Sequence, residues 1–136
     1  MERLVIDRTE FNPEIILDHA NKTFSIKGNS RPEDVRDIYF PVVKWMDSYR
    51  EFLMGKGKDY YTEEDPLVFE FDMDYFNSST AKFLFDIVDV IRLMKENGVH
   101  VEVAWIWDEE DTDMKEAGED LSYLVEIDFN YITKQV

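Results

Sequence analysis

The chain has 136 residues, of which 44% are hydrophobic and 15% aromatic, so it can bury the core of one domain spanning residues 1–136. Its formal net charge is −16, from 31 acidic and 15 basic residues, and this charge repels nucleic-acid phosphates and anionic membrane surfaces. Because there is no cysteine, disulfides, thiolate zinc sites and a cysteine nucleophile are excluded.

The N-terminal residues 1–7 do not have the pattern of a secretion signal. They lack the long apolar core of a signal peptide, and no stretch of the chain approaches about 18 consecutive uncharged apolar residues. We therefore expect a cytoplasmic protein whose partners include neither nucleic acid nor a membrane.

The first predicted element is a β-hairpin. Residues 14–19 and 22–27 are short β-type runs, and apolar residues alternate with polar ones in the second run. Gly28 and Asn29 predict a turn after it. Residues 30–33 have the spacing of a capping box, with a serine followed three positions later by a glutamate, so we expect the first helix to begin there.

An amphipathic stripe predicts the first helix. Apolar residues recur in steps of three and four from Val35 to Leu53. Pro41 lies inside this pattern, lacks an N–H and crowds the carbonyl four residues back, so we expect a kink or restart near Phe40. Glycines then predict the end of the helix, and residues 59–66 are predicted to form a loop.

Strands and helices alternate through the rest of the chain. Residues 67–74 alternate between apolar and largely charged side chains, which predicts a strand. A second amphipathic helix follows and ends at residues 97–98. Strands are predicted at residues 99–107 and 125–130, with a short acidic helix at residues 111–119 between them.

The predicted order, β-β-α-β-α-β-α-β, indicates an α/β fold with a mixed sheet of about five strands. Crossovers that carry a helix usually join parallel neighbouring strands. One face of the strands is repeatedly charged, whereas a parallel sheet covered on both faces is apolar on both. We therefore expect the helices to pack on one face only.

The junction between the third predicted strand and the second helix is rich in hydroxyl groups. Asn77 or Ser78 can cap the helix, which is the ordinary structural role of such a cluster. However, one cap is enough, and the chain has three successive hydroxyls at Ser78, Ser79 and Thr80. Lys82 lies one helical turn beyond Ser78, where it can approach a phosphoryl group.

These residues predict a phosphorylation switch with Ser78 as the acceptor and Ser79 or Thr80 as weaker alternatives. A phosphoryl group adds about −1.5 to −2 charges, which must be desolvated or repelled in a docked interface. A protein partner should contact the surface around Ser78. We expect that surface to comprise Asp72, Asp74, Tyr75, Asn77, Ser79, Thr80 and Lys82.

No motif in the sequence indicates an enzyme. There is no phosphate-cradling glycine loop, nucleophile elbow or zinc motif. His19 and His100 lie far apart without the spacing of a metal pair. We therefore expect no catalytic residue, no metal and no cofactor.

Three segments of the sequence are distinctive: residues 26–34, residues 74–82, which contain the hydroxyl cluster with its flanking aromatics and lysine, and residues 105–108 together with 118–120. Together they resemble the SiaC family of bacterial regulatory phosphoproteins. The element order is also similar to the STAS-like anti-sigma-factor antagonists, whose regulatory serine occupies the position of Ser78. Asn77 and Thr80 replace the aspartate and glycine of those proteins, which favours the SiaC-like branch.

The resemblance implies a STAS-like fold and a set of protein partners. Members of the family are phosphorylated by a dedicated kinase and dephosphorylated by a metal-dependent phosphatase. In the unphosphorylated form they bind and activate a diguanylate cyclase. The resemblance therefore implies a non-enzymatic partner switch in cyclic-di-GMP signalling, controlled at Ser78.

A second interpretation follows from the charge alone. The chain could be an acidic scaffold that is never phosphorylated and binds a basic protein partner. Binding that weakens steeply with salt but ignores every substitution of Ser78 would favour the scaffold.

Overall fold

The computed structural model describes residues 1–135 as a six-stranded sheet with three helices on one side. The strands are β1 (Leu4–Ile6), β2 (Glu14–Asp18), β3 (Thr23–Ser30), β4 (Leu67–Phe76), β5 (Val101–Asp108) and β6 (Phe129–Lys134). The helices are α1 (Val35–Met54), α2 (Ser78–Glu96) and α3 (Thr112–Val125).

The strands lie in the sheet in chain order. β1, β2 and β3 are antiparallel neighbours, whereas β3, β4, β5 and β6 are parallel and are joined by α1, α2 and α3 in turn. Because such crossovers are right-handed and the order never reverses, all three helices lie on the same face. The predicted α/β class with helices on one face is confirmed, with six strands in place of about five.

The core lies between the helices and the apolar face of the sheet. In β4, alternate residues Leu67, Phe69 and Phe71 are almost fully buried, while Glu70 and Asp72 point to the opposite face. Parallel register places Phe71 beside the fully buried Trp105 of β5. Burying such a side chain contributes about 1.5–3 kcal/mol, so this alternation fixes which face of the sheet receives the helices.

The end of β3 differs from the prediction. Gly28 and Asn29 do not form a turn but continue the strand across an irregularity in its register with β4. Gly28 has a φ of 105°, a conformation open to glycine and strained for other residues. Ser30 is the last residue of β3, so the predicted capping box is wrong.

Helix α1 begins four residues later than predicted, with its N-cap at residue 34 in place of residue 30. Asp34 is its N-cap and accepts from the backbone N–H of Arg36 at 3.1 Å and Asp37 at 3.4 Å. The helix then runs to Met54 without a break, so the predicted restart near Phe40 is wrong. Pro41 lies on the exposed side of α1, where water can bond the Asp37 carbonyl that lost its helical donor.

The C-terminal prediction is partly wrong. Met114, Leu121 and Val125 form one buried stripe of α3, so the helix continues past residue 119 and includes the start of the predicted last strand. The strand itself begins at Phe129. The three-residue β1 was missed because a run that short carries no alternating pattern to detect.

Candidate functional site

The junction between β4 and α2 is built around Asn77. This residue has extended backbone angles and its Oδ1 accepts a hydrogen bond from the Thr80 backbone N–H at 2.9 Å, which makes it the N-cap of α2. The same oxygen accepts a hydrogen bond from the Ser79 hydroxyl at 3.0 Å. Of the two predicted caps, Asn77 is therefore the one used, and Ser78 becomes the first residue of the helix.

The three hydroxyls of the cluster lie in different environments. Ser78 and Ser79 are exposed, whereas Thr80 is fully buried. Thr80 Oγ1 donates to the Ser30 carbonyl at 3.2 Å and lies 2.9 Å from Ser30 Oγ. The prediction that Thr80 belongs to the surface around Ser78 is therefore wrong, because its side chain joins the end of β3 to the start of α2.

The Thr80 hydroxyl belongs to a buried chain of three side chains. Ser30 Oγ also lies 2.7 Å from the Tyr39 hydroxyl on α1. Burial raises the pKa of Tyr39 to about 12, so the phenol stays protonated and can donate to Ser30. With Ser30 donating in turn to Thr80 and Thr80 donating to the Ser30 carbonyl, each hydroxyl has a partner. The network holds α1, β3 and α2 in a fixed relation beneath Ser78.

The Ser78 hydroxyl is the accessible group of the cluster. Its side chain is exposed, and among residues 1–135 it has no hydrogen-bond partner, unlike Ser79 and Thr80. The first turn of α2 contains no acidic residue, so the partial positive charge of the helix start is not neutralised locally. Lys82 is also exposed and lies on the next turn. The structure thus brings Ser78, Ser79, Asn77 and Lys82 together.

Asp72 and Asp74 are not part of that cluster. They lie on the sheet face opposite the helices, where Lys134 of β6 contacts Asp72 at 2.5 Å and Asp74 at 3.7 Å. Arg8 contacts Asp74 at 2.9 Å. The bond to Asp72 raises the pKa of Lys134. Asp72 and Asp74 are therefore paired with cations on the sheet face opposite the helices. Tyr75, which follows Asp74 in β4, is half exposed.

An apolar groove between α2 and α3 adjoins Ser78, and it was not predicted from the sequence. It encloses about 660 Å³. Two of its apolar residues are markedly exposed, with 37% of Phe85 and 64% of Leu124 accessible to solvent. We call it the α2–α3 groove, and its apolar lining comprises Phe76, Ala81, Leu84, Phe85, Ala117, Leu121 and Leu124.

Neither a metal-binding cluster nor a membrane-spanning helix is present within residues 1–135. No group of three or more His, Asp or Glu side chains is placed to hold a metal ion there. His19 Nδ1 is hydrogen-bonded to the Tyr49 hydroxyl at 2.6 Å, and His100 is exposed. None of the helices in this range carries an apolar stretch long enough to cross a bilayer.

Comparison with known proteins identifies the family. A protein of Pseudomonas aeruginosa (strain UCBPP-PA14), described as uncharacterized, is 25% identical over 120 residues, covering 88% of this chain and 87% of that protein. Apo-SiaC from Pseudomonas aeruginosa has the same fold, with a TM-score of 0.78 and 23% identity over 98% of this chain and 99% of that one.

SiaC in a crystal structure of the Pseudomonas aeruginosa diguanylate cyclase SiaD with its activator SiaC gives the same TM-score of 0.78 at 22% identity, over 98% of this chain and 99% of that one. At these identities the structures show a shared fold, which confirms the predicted class. The sequence profile of the SiaC family of regulatory phosphoproteins matches residues 6–134. The chain therefore belongs to the SiaC family of regulatory phosphoproteins.

Proposed function

We propose that this chain is a non-enzymatic partner switch that binds and activates a diguanylate cyclase until Ser78 is phosphorylated. The observation that carries the proposal is an exposed serine hydroxyl at the start of α2, without a hydrogen-bond partner among residues 1–135, in a member of a family of regulatory phosphoproteins. A protein kinase adds the phosphoryl group and a metal-dependent phosphatase removes it.

Ser78 is a better acceptor than its two neighbours. Thr80 Oγ1 is buried and bonded to Ser30, so a kinase cannot reach it without opening the core. The Ser79 hydroxyl is exposed but donates to Asn77 Oδ1, and its modification would disturb the cap of α2. Phosphorylation of Ser78 requires neither opening of the core nor disturbance of the α2 cap.

Phosphorylation of Ser78 should act on docking more than on folding. Within the protein, the helix start and the Lys82 ammonium favour the added charge, which offsets its repulsion by the net charge of −16. Against a docked partner, the same dianion must lose water or face an unfavourable neighbour, which costs several kcal/mol. The fold therefore persists while the complex dissociates.

The class of partner that we propose is inferred from the similar protein SiaC. In the solved complex from Pseudomonas aeruginosa, SiaC is the activator of the cyclase SiaD. A regulator of the same family and fold is suited to the same class of effector, so a diguanylate cyclase is the partner we propose for this chain.

The proposal is tested by the activity of purified diguanylate cyclases from the source organism, measured with and without this protein. We expect wild type and Ser78→Ala to stimulate one cyclase equally, and Ser78→Asp to stimulate it far less. Ser48→Asp, which adds the same charge at an exposed position of α1, is the matched control and should behave as wild type. Equal stimulation by both Asp variants would contradict the switch, as would the absence of phosphoserine 78 from fragment mass spectra of the native protein.

The acidic scaffold remains the second candidate, because 31 acidic residues give the surface a strong negative field. Its signature would be partner binding that falls steeply between low and high salt. Such binding would be equally strong for Ser78→Ala, Ser78→Asp and the wild type.

A further inference from the structure

We propose that the α2–α3 groove seats an amphipathic helix of the effector, one whose apolar stripe is flanked by lysine or arginine. The inference rests on the proposed function, and it adds the docking surface and the chemistry of the segment that binds there. The partner is a protein helix and not a second copy of this chain.

The shape of the groove suits a third helix. Both α2 and α3 connect parallel neighbouring strands, so they run side by side in the same direction, and the groove lies between them. Along α2 its lining extends from Ser78 to Asp86, eight residues or about 12 Å. This length accommodates the i and i+7 anchors with which an amphipathic helix fills such a groove.

The rim of the groove defines the charge of the ligand. Asp86 on α2 and Asp120 on α3 border the apolar lining and outnumber its one lysine, Lys82, and neither carboxylate has an ion-pair partner among residues 1–135. A basic residue on each side of a docked stripe would pair with them. The same rim disfavours a second copy of this chain, because that copy would bring a further net charge of −16 to it.

The groove also explains how Ser78 could control docking. Ser78 lines its end next to Phe76 and Ala81, where the lining is apolar, whereas Asp86 lies about two turns further along α2. A hydrated phosphoryl group at that end, held by Lys82, would have to lose water before an apolar side chain could be seated. The basic residues of the partner that would pair with Asp86 lie too far along the helix to neutralise the phosphoryl group.

The groove can be tested without the cyclase or the kinase. The probe is a synthetic helical peptide of about 18 residues with a leucine stripe at i, i+3, i+4 and i+7 flanked by lysines. A scrambled peptide of the same composition lacks the stripe. Binding is followed by NMR chemical shifts of the Phe85 and Leu124 side chains. We expect saturable binding at least about tenfold tighter for the striped peptide, with the largest shifts in the groove.

Two variants make the test specific. Leu124→Ser replaces an exposed apolar residue of the groove with a smaller polar one and should weaken the binding of the striped peptide at least about fivefold. Phe40→Ser makes a comparable change at an exposed position of α1, outside the groove, and should leave binding unchanged. Equal binding of the two peptides, shifts centred elsewhere, or insensitivity to Leu124→Ser would overturn the groove proposal. Shifts in the groove that grow with protein concentration alone would place a second copy there and would also overturn it.

Failure of this test and failure of the proposed function are distinguishable. A cyclase that responds to Ser78→Asp while the peptide ignores the groove would leave the switch intact and move the docking surface elsewhere. A peptide that binds the groove while no cyclase responds would support the docking surface and contradict the cyclase as its partner.

Discussion

Neighbouring residues with similar side chains have different roles at the start of α2. All three residues 78–80 carry hydroxyls, but Ser79 bonds the cap residue and Thr80 is buried. The Ser78 hydroxyl is exposed and has no hydrogen-bond partner within the described part of the chain. The sequence predicted the cluster and its most accessible member. It could not predict the burial of Thr80, because the group that receives its proton belongs to Ser30, fifty residues away on β3.

Thr80→Val should test the buried network. The substitution keeps the shape of the side chain but removes the proton that Thr80 donates to the Ser30 carbonyl, leaving a buried oxygen without that bond. We expect the free energy of unfolding to fall by about 1–3 kcal/mol in urea titrations. Ser79→Ala, at an exposed site, should change it by less than about 1 kcal/mol. A Thr80→Val protein as stable as wild type would contradict the structural role.

His19 should make the fold sensitive to acid. Burial lowers the pKa of its ring below the usual 6.5, so as the pH falls the unfolded chain binds this proton first. Stability is therefore lost as the pH drops below about 6.5, by at most about 1.4 kcal/mol per pH unit. His19→Phe should flatten this part of the stability profile between pH 7 and pH 5, whereas the exposed His100→Gln should not. Identical profiles for the two variants would refute the assignment.

Elements with strong periodicity could be predicted, and those fixed by tertiary contacts could not. The stripe of α1 gave its extent, but its start depends on Ser30, which continues β3 and so leaves capping to Asp34. The extent of α3 could have been predicted from the sequence, because Met114, Leu121 and Val125 share one helical face. The α2–α3 groove could not have been predicted, since it arises from the way two helices separated in sequence lie side by side.

Gly118 allows α3 to lie directly on β5. A Cβ added there would lie 2.5 Å from Trp105 Nε1, and that indole is fully buried and donates to the Met114 carbonyl at 2.9 Å. We expect Gly118→Ala to reduce the free energy of unfolding by about 1–3 kcal/mol despite the better helix propensity of alanine.

The control for this substitution is Glu119→Ala, on an exposed position of the same helix. It should change stability by less than about 0.5 kcal/mol. Tryptophan fluorescence during denaturation can follow both variants. A Gly118→Ala protein more stable than wild type would show that α3 is less closely packed on β5 than described.

In the whole molecule, the two faces of the sheet have different surroundings. One face carries the helices and the core, and the other presents charged side chains such as Asp72 and Asp74. The Asp74 pair with Arg8 is about half exposed, whereas the Asp72 pair with Lys134 is partly buried. An exposed pair such as Arg8–Asp74 contributes about 0–1 kcal/mol. The proposed switch lies at the helix-covered side, at the junction of β4 and α2, where a modification can change a surface without disturbing the core.

The most direct measurement is the dissociation constant of the responsive cyclase for this protein carrying phosphoserine at position 78, compared with the unmodified protein. The account predicts that the phosphoryl group weakens binding by at least about 30-fold, equivalent to about 2 kcal/mol, at physiological salt. It also predicts that the unfolding midpoint changes little. Equal affinities of the two forms, each correctly folded, would contradict the central claim that Ser78 controls docking.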